Sequence, residues 1–287
     1  MRPSPYIDGQ PLEVDLPLHV TEVSGAHDGG PTFVMLHGFG GSSYTWRSWV
    51  ERLTPLGRVL CVDYKGFGAA PKPADDGYAP EDQANLILEL MDRLRLERVT
   101  LIGHSLGGSI ALLACQALAG HPNSPAERLV MIASPVYRQR VPPLVSLSKR
   151  PLLTHAIVRT VGPRHLVRSI LRSVVHDDCL VSEAQVSAYA KPLRSREGLE
   201  GALRAGRHLL PSNLAHVGER IRDVTIPTLL MWGDGDRVVP GWVGERLAAE
   251  LPDGHLVIVP RCGHIPPEER PGASFDLLET FLERTAG

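Results

Sequence analysis

Gly103-His104-Ser105-Leu106-Gly107-Gly108 holds a serine hydroxyl between glycines at the spacing G-x-S-x-G, directly after the apolar run Val99-Thr100-Leu101-Ile102. Between a strand and a helix, such glycines permit a sharp, strained turn that lifts the hydroxyl above a sheet edge. The segment Ser109-Ile110-Ala111-Leu112-Leu113-Ala114 continues as a helix, which would aim backbone N–H groups and a positive dipole end at the same place. Read blandly, the stretch is a glycine-rich strand-to-helix turn with a bystander serine. The chemistry it would support is nucleophilic attack, and for that the hydroxyl needs a base.

Of the twelve histidines, His264 in Arg261-Cys262-Gly263-His264-Ile265-Pro266 is best placed, because it follows the apolar run Leu256-Val257-Ile258-Val259. Parallel strands put the loops that follow them at one sheet edge, so His264 and Ser105 should share that edge. His27, His37, His104, His121 and His255 compete. His104 precedes the serine directly and should turn its ring away from the side Ser105 presents. His37 stands at the mouth of its strand.

An imidazole base needs a carboxylate to orient it and to stabilise its charged form. Trp232-Gly233-Asp234-Gly235-Asp236-Arg237 offers two, after the run Thr228–Trp232. Asp236 is preferred, since Asp234 is explained as the tight-turn residue before Gly235. Ala133-Ser134-Pro135, after another run, has no carboxylate to offer. The expected catalytic set is therefore Ser105, Asp236 and His264. An oxyanion formed at Ser105 would be held by the backbone N–H of Leu106 and by that of Phe39, in His37-Gly38-Phe39-Gly40-Gly41. His37, Gly38 and His104 are candidates to line the pocket. Taken alone, the glycine cluster at 38–41 would be no more than a flexible loop.

The elements that must carry these residues are legible as an alternation. Short apolar runs at 32–36, 58–62, 99–102, 129–133, 228–232 and 256–259 suit strands covered on both faces. Residues 11–23 alternate apolar and polar, as one or two edge strands would. Helical patterns fall at 44–53, 80–95, 106–118, 241–251 and 268–284. In the second of these, Ala84, Leu86, Ile87, Leu90, Met91 and Leu94 share a face. Strands alternating with helices predict an α/β fold with a mainly parallel, doubly wound sheet flanked by helices. The alternation stops from 137 to 222, a stretch punctuated by Pro142-Pro143, Pro151, Pro163, Pro192 and Pro211. Too long for a plain loop, it predicts a helical cap at 137–222 inserted in a core of 1–136 and 223–287.

The 287 residues carry a formal net charge of −2, which offers nothing to recruit nucleic acid. Hydrophobic residues make up 43% and charged residues 22%, the balance of an ordinary folded domain. No apolar run is long enough to cross a bilayer, and the first residues show no signal-peptide pattern. Cys61, Cys115, Cys179 and Cys262 are widely scattered, which argues against a disulfide framework or a zinc site and fits a cytoplasmic location. No metal or cofactor is expected. From Arg138 to Arg172 every charged side chain is basic, with Arg164, Arg168 and Arg172 at helical spacing beside Leu166, Val167, Ile170 and Leu171. The plain reading is a solvated basic ridge on a helix whose apolar side roofs the pocket. The sharper one is attraction to anionic substrates, such as acyl-CoA, or to a lipid surface.

Together these segments resemble the α/β-hydrolase superfamily, specifically its capped esterase-like members, over residues 12–284 except the cap. His37–Ser42 is similar to the family's oxyanion loop, Gly103–Gly108 to its nucleophile elbow, and Gly233–Asp236 and Gly263-His264 to its acid and base loops. Asp63-Tyr64-Lys65-Gly66-Phe67-Gly68 resembles its D-x-x-G-x-G turn, whose aspartate is structural, and Glu269-Arg270-Pro271 its usual trailer. The resemblance implies hydrolysis of a small, hydrophobic carboxylic ester through an acyl-enzyme. Relatives that open epoxides or displace halide use aspartate where this chain has Ser105. Ring-cleavage C–C hydrolases, which often have asparagine at the position of His104, remain an alternative. So do thioester or lactone hydrolysis, perhydrolase side activity, and a small-ligand receptor with vestigial hydrolysis. The oligomeric state is not readable from the sequence.

Overall fold

In the computed structural model, which describes residues 4–23, 30–139, 147–209, 211 and 214–286, the apolar runs become strands of one sheet. They are β1 (Gln10–Leu12), β2 (His19–Val23), β3 (Thr32–Leu36), β4 (Arg58–Asp63), β5 (Val99–His104), β6 (Ala126–Ile132), β7 (Thr228–Gly233) and β8 (Gly254–Val259). Their order across the sheet is β1-β2-β4-β3-β5-β6-β7-β8. The stretch at 11–23 resolves into β1 and β2, which pair antiparallel to each other and, through β2, to β4. Every other pairing is parallel. Strands β3, β5 and β7 are buried along their whole length, as continuous apolar sequence requires. β8 departs from that expectation. It forms the outer edge, and Ile258 is 48% exposed.

The core helices are α1 (Arg47–Leu53), α2 (Pro80–Arg93) and α3 (Leu106–Leu118). Between β6 and β7 the described residues hold no strand. They form α4 (Pro151–Val161), α5 (Pro163–Val174), α6 (Glu183–Ala190), α7 (Arg196–Arg207) and α8 (Leu214–Glu219). Pro151 and Pro163 each open a helix, where a missing N–H costs no hydrogen bond and the fixed φ suits the first turn. Pro142-Pro143, Arg140 and His27 lie outside the described residues. After β7 come α9 (Gly241–Glu250), α10 (Pro266–Glu269) and α11 (Pro271–Arg284). The pattern read as one helix over 268–284 is broken at Arg270, because Pro271 disfavours helical backbone in the residue before it and restarts the chain as α11. Likewise, the expected 44–53 helix begins as a tighter 3-10 turn at Ser43–Trp46.

Trp46, Trp49 and Trp232 are fully buried, and Trp49 meets Phe275 edge-on at 5.7 Å, joining α1 to α11. Among the described residues no helix is long and apolar enough to cross a membrane.

Candidate active site

Parallel pairing dictates which loops meet. The register sets Leu36 beside Gly103, His104 beside Ile132, and Gly233 beside Val259, so the segments after β3, β5, β7 and β8 leave the sheet at one edge. Ser105 sits between β5 and α3 with φ 51° and ψ −120°, a conformation unfavourable for any residue with a Cβ. The turn is tied down by Ser105 N–H donating to Ile132 O at 2.7 Å and by Gly108 N–H donating to Ser105 O at 3.0 Å. Glycine is needed on either side because the backbones nearly touch. A Cβ on Gly103 would lie 2.3 Å from Gly107 O, and one on Gly107 would lie 2.2 Å from Leu36 O.

The hydroxyl, imidazole and carboxylate lie in series. Ser105 Oγ is 3.1 Å from His264 Nε2, and His264 Nδ1 is 2.9 Å from Asp236 Oδ2. A carboxylate can only accept, so Nδ1 carries the proton and Nε2 is left to accept from Ser105. The Asp236 side chain is 1% exposed. Burial alone would raise its pKa, but the neighbouring His264 ring and the amides of Val239 and Val238, at 3.0 and 2.8 Å from Oδ1, hold the carboxyl below its ordinary range. Asp234 faces a different task. It accepts from the Arg261 and Cys262 amides at 2.9 and 3.1 Å, fastening the loop after β7 to the loop after β8. That is more than a turn position, and it leaves Asp236 alone against the imidazole.

Gly38 lies close enough to the serine that an added Cβ would be 3.2 Å from Ser105 Cβ. The Gly41 N–H closes a turn onto Gly38 O at 3.0 Å, with Phe39 inside it. Leu106 opens α3, where the first amides have no intrahelical acceptor. Phe39 packs edge-on against Phe67 at 5.4 Å. His37 is fully buried, stacked on Tyr64 at 4.2 Å, and donates from Nδ1 to Gly38 O at 2.8 Å. Burial lowers its pKa to about 4. His104 lies beside the base rather than away from it. Its ring is 5.0 Å from that of His264, and its Nε2–H donates to His264 O at 2.8 Å. Burial, then the nearby His264, lowers its pKa to about 3, so it is a neutral donor near pH 7. Among the described residues no group of histidine, cysteine and carboxylate side chains could hold a metal ion.

The sequence model of the alpha/beta hydrolase family matches residues 33–277. The chain belongs to the alpha/beta hydrolase family. Similar proteins include a hydrolase of Bacillus subtilis, YugF, 28% identical over 89% of this chain and 91% of the relative. A 2-hydroxy-6-oxononadienedioate/2-hydroxy-6-oxononatrienedioate hydrolase of Cupriavidus pinatubonensis is 28% identical over 88% of this chain and 87% of its own. Among solved structures, a bacterial membrane phospholipase A described as a virulence factor superposes with a TM-score of 0.78 at 26% identity, covering 97% of this chain and 86% of that one.

Two carboxylates of this hydrolase had gone unread as site residues. Glu269, noted only as part of a trailing motif, is buried and accepts from the amides of Ile265, Gly263 and His176 at 2.9, 2.9 and 2.7 Å. It brackets His264 on both sides and reaches into the helical segment. His264 N–H itself donates to Val174 O, at the end of α5, at 2.9 Å. The Glu268 side chain is buried as well, with Arg47 at 2.6 Å, Gln185 Nε2 at 3.0 Å and the Tyr189 hydroxyl against it. Tyr189 also meets Thr45 Oγ1 at 3.0 Å, so this cluster joins α6 to the segment before α1. The signal available in sequence was a Glu-Glu pair directly after the apolar Ile265-Pro266-Pro267 that follows His264. Of the basic ridge, Arg164 and Arg168 both pair with Glu183 of α6.

Proposed function

We propose that this hydrolase cleaves small carboxylic esters through an acyl-enzyme on Ser105. The observation that carries the reading is the unbroken series from Ser105 Oγ through His264 to the buried Asp236, at 3.1 and 2.9 Å. His264 Nε2 takes the hydroxyl proton as Oγ attacks the ester carbon, and the oxyanion is held by the Phe39 and Leu106 amides. The tetrahedral species collapses, the leaving alkoxide receives the proton from Nε2, and the acyl group stays on Oγ. Water then attacks, giving its proton to Nε2. The second collapse releases the acid and returns the proton to Ser105. Asp236 orients the ring and offsets its charge while it is protonated.

In this reading residues 137–222 are a cap on a core of 1–136 and 223–287, and the apolar side of α5 favours a hydrophobic acyl or alcohol group. Three buried cysteines and the exposed Cys179, all free, fit a reducing cytoplasm. The relative from Cupriavidus, named for hydrolysis of a ring-cleavage product, keeps C–C bond cleavage on the same residues as the second reading.

Purified protein given chromogenic esters, thioesters, lactones and a ring-cleavage diketone separates these readings. Ester turnover should dominate, Ser105 should label stoichiometrically with a fluorophosphonate, and Ser105→Ala should abolish both. Preferential diketone cleavage moves the assignment to C–C hydrolysis. Labelling without multiple turnovers leaves a ligand receptor, and full activity in Ser105→Ala ends the proposal.

A further inference from the structure

Helix α4 exposes apolar side chains to a degree found nowhere else among the described residues. Leu152 is 86% exposed, Leu153 45% and Val161 49%; the other large exposed hydrophobics, Leu56, Trp242 and Ile258, are scattered over the core. Helical spacing organises the first two. Leu152, Ala156 and Arg159 run along one stripe, with Leu153 and Thr160 beside it, while Thr154 and Val158 turn inward and are buried. Lys149 and Arg150 are exposed within a turn of Leu152. Arg164 and Arg168 are neutralised by Glu183, and His155 meets Glu200 at 2.8 Å. By contrast Lys149, Arg150, Arg159 and Arg172 pair with no carboxylate among the described residues.

We infer that the outward face of α4 is a docking surface for an anionic lipid bilayer, with Leu152 and Leu153 entering the headgroup–acyl boundary and Lys149, Arg150 and Arg159 meeting lipid phosphates. A leucine exposed this far and flanked by cations matches a surface that is apolar inside and anionic at its face. A fluid surface accepts such a residue and gains the free energy of removing it from water. The cations supply the charge complementarity, each attracting a negative surface within a Debye length. An apolar tip of two leucines with a few cations implies weak, reversible association rather than anchoring. The inference goes beyond hydrolysis. It places the cap side of the molecule against lipid whatever bond the site cleaves.

The full chain is sedimented with phosphatidylcholine vesicles, with and without phosphatidylglycerol. The expected result is binding to the anionic vesicles that weakens with added salt and is little seen with phosphatidylcholine alone. Leu152→Ser with Leu153→Ser should reduce partitioning on the order of tenfold or more, as should Lys149→Gln with Arg150→Gln. Both variants change exposed side chains, so rates on a soluble ester in buffer should stay at the wild-type level and certify folding. Ser105→Ala should bind vesicles as the wild type does, which keeps this outcome separate from that of ester cleavage. Equal partitioning of wild type and both double variants, no sedimentation with either vesicle, or equal binding to neutral and anionic vesicles overturns the inference. A dimer in sedimentation equilibrium that the leucine variants dissolve also overturns it, and gives the face to a second copy.

Discussion

At the carboxyl edge of the sheet, carboxylates fix the loops by accepting backbone N–H groups: the buried Asp63 from Ser43 and Ala69, the exposed Asp234 from Arg261 and Cys262, the buried Asp236 side chain from Val238 and Val239, and the buried Glu269 from Gly263, Ile265 and His176. The helices between β6 and β7 use a different chemistry. Apart from the Glu268 cluster that ties Gln185 and Tyr189 of α6 to the core, they hold on through small apolar clusters, such as Val167, Leu171, Val186 and Ile265, and through exposed ion pairs like those of Glu183. One region is locked mainly by charge-assisted hydrogen bonds to backbone amides, the other, outside the Glu268 cluster, by modest burial and screened charge. The lesson is a division of labour. Loops that must hold a hydroxyl, an imidazole and a carboxylate within tenths of an ångström are pinned amide by amide. The segment that would meet substrate and surroundings is free to present varied surfaces.

The largest effect should come from the carboxylate that contacts the base. Asp236→Asn keeps acceptors for Val238 and Val239 but loses the charge that fixes the His264 tautomer, so kcat on the preferred ester should fall about three to four decades. Thermal melting should barely change; full activity would move the acid role elsewhere. Next, Glu269→Ala strips three amides of a buried acceptor and should cost about 3 kcal/mol in urea unfolding, with a lowered kcat as the His264 loop loosens. A neutral outcome would break the contrast, because this loop would then be held no more firmly than the helices.

A smaller effect concerns pH. His37, lowered by burial to about 4 from 6.5, stabilises the fold fully above pH 6.5 and progressively less as pH falls toward 4, since the unfolded chain takes up the proton first. His104 acts in the same direction, down to about 3. Asp63, raised by burial to about 6, acts oppositely: the folded state takes up its proton more readily, so acidification through pH 6 favours folding. His37→Asn should therefore lessen the stability lost between pH 7.5 and 5 by about 1–2 kcal/mol, read from urea unfolding at both values. An unchanged difference would show that His37 binds its proton normally. The smallest change is expected in the helices. Glu183→Gln removes the partner of Arg164 and Arg168, an exposed, solvent-screened pairing, and should leave the urea unfolding midpoint nearly unchanged. A loss comparable to that of Glu269→Ala would erase the distinction between the two regions.

That Ser105, Asp236 and His264 meet was legible because each follows an apolar run, and parallel strands deliver the residues after such runs to one edge. That inference needs only local pattern and chain order. Likewise, the break in alternation at 137–222 predicts helices, since strand and helix periods differ, and the described residues of that segment form helices and no strand. What the sequence could not fix was anything set by distance across the chain. Ile258 sits in a run as apolar as its neighbours, yet lies half exposed because position at the sheet edge is a property of the whole sheet. His104 packs against His264, 160 residues away, and Glu268 and Glu269 look like ordinary surface acids until the fold buries them among amides, Arg47 and Tyr189. Burial decides whether a carboxylate is solvated or becomes the acceptor that holds a loop, and burial exists only once distant segments have met.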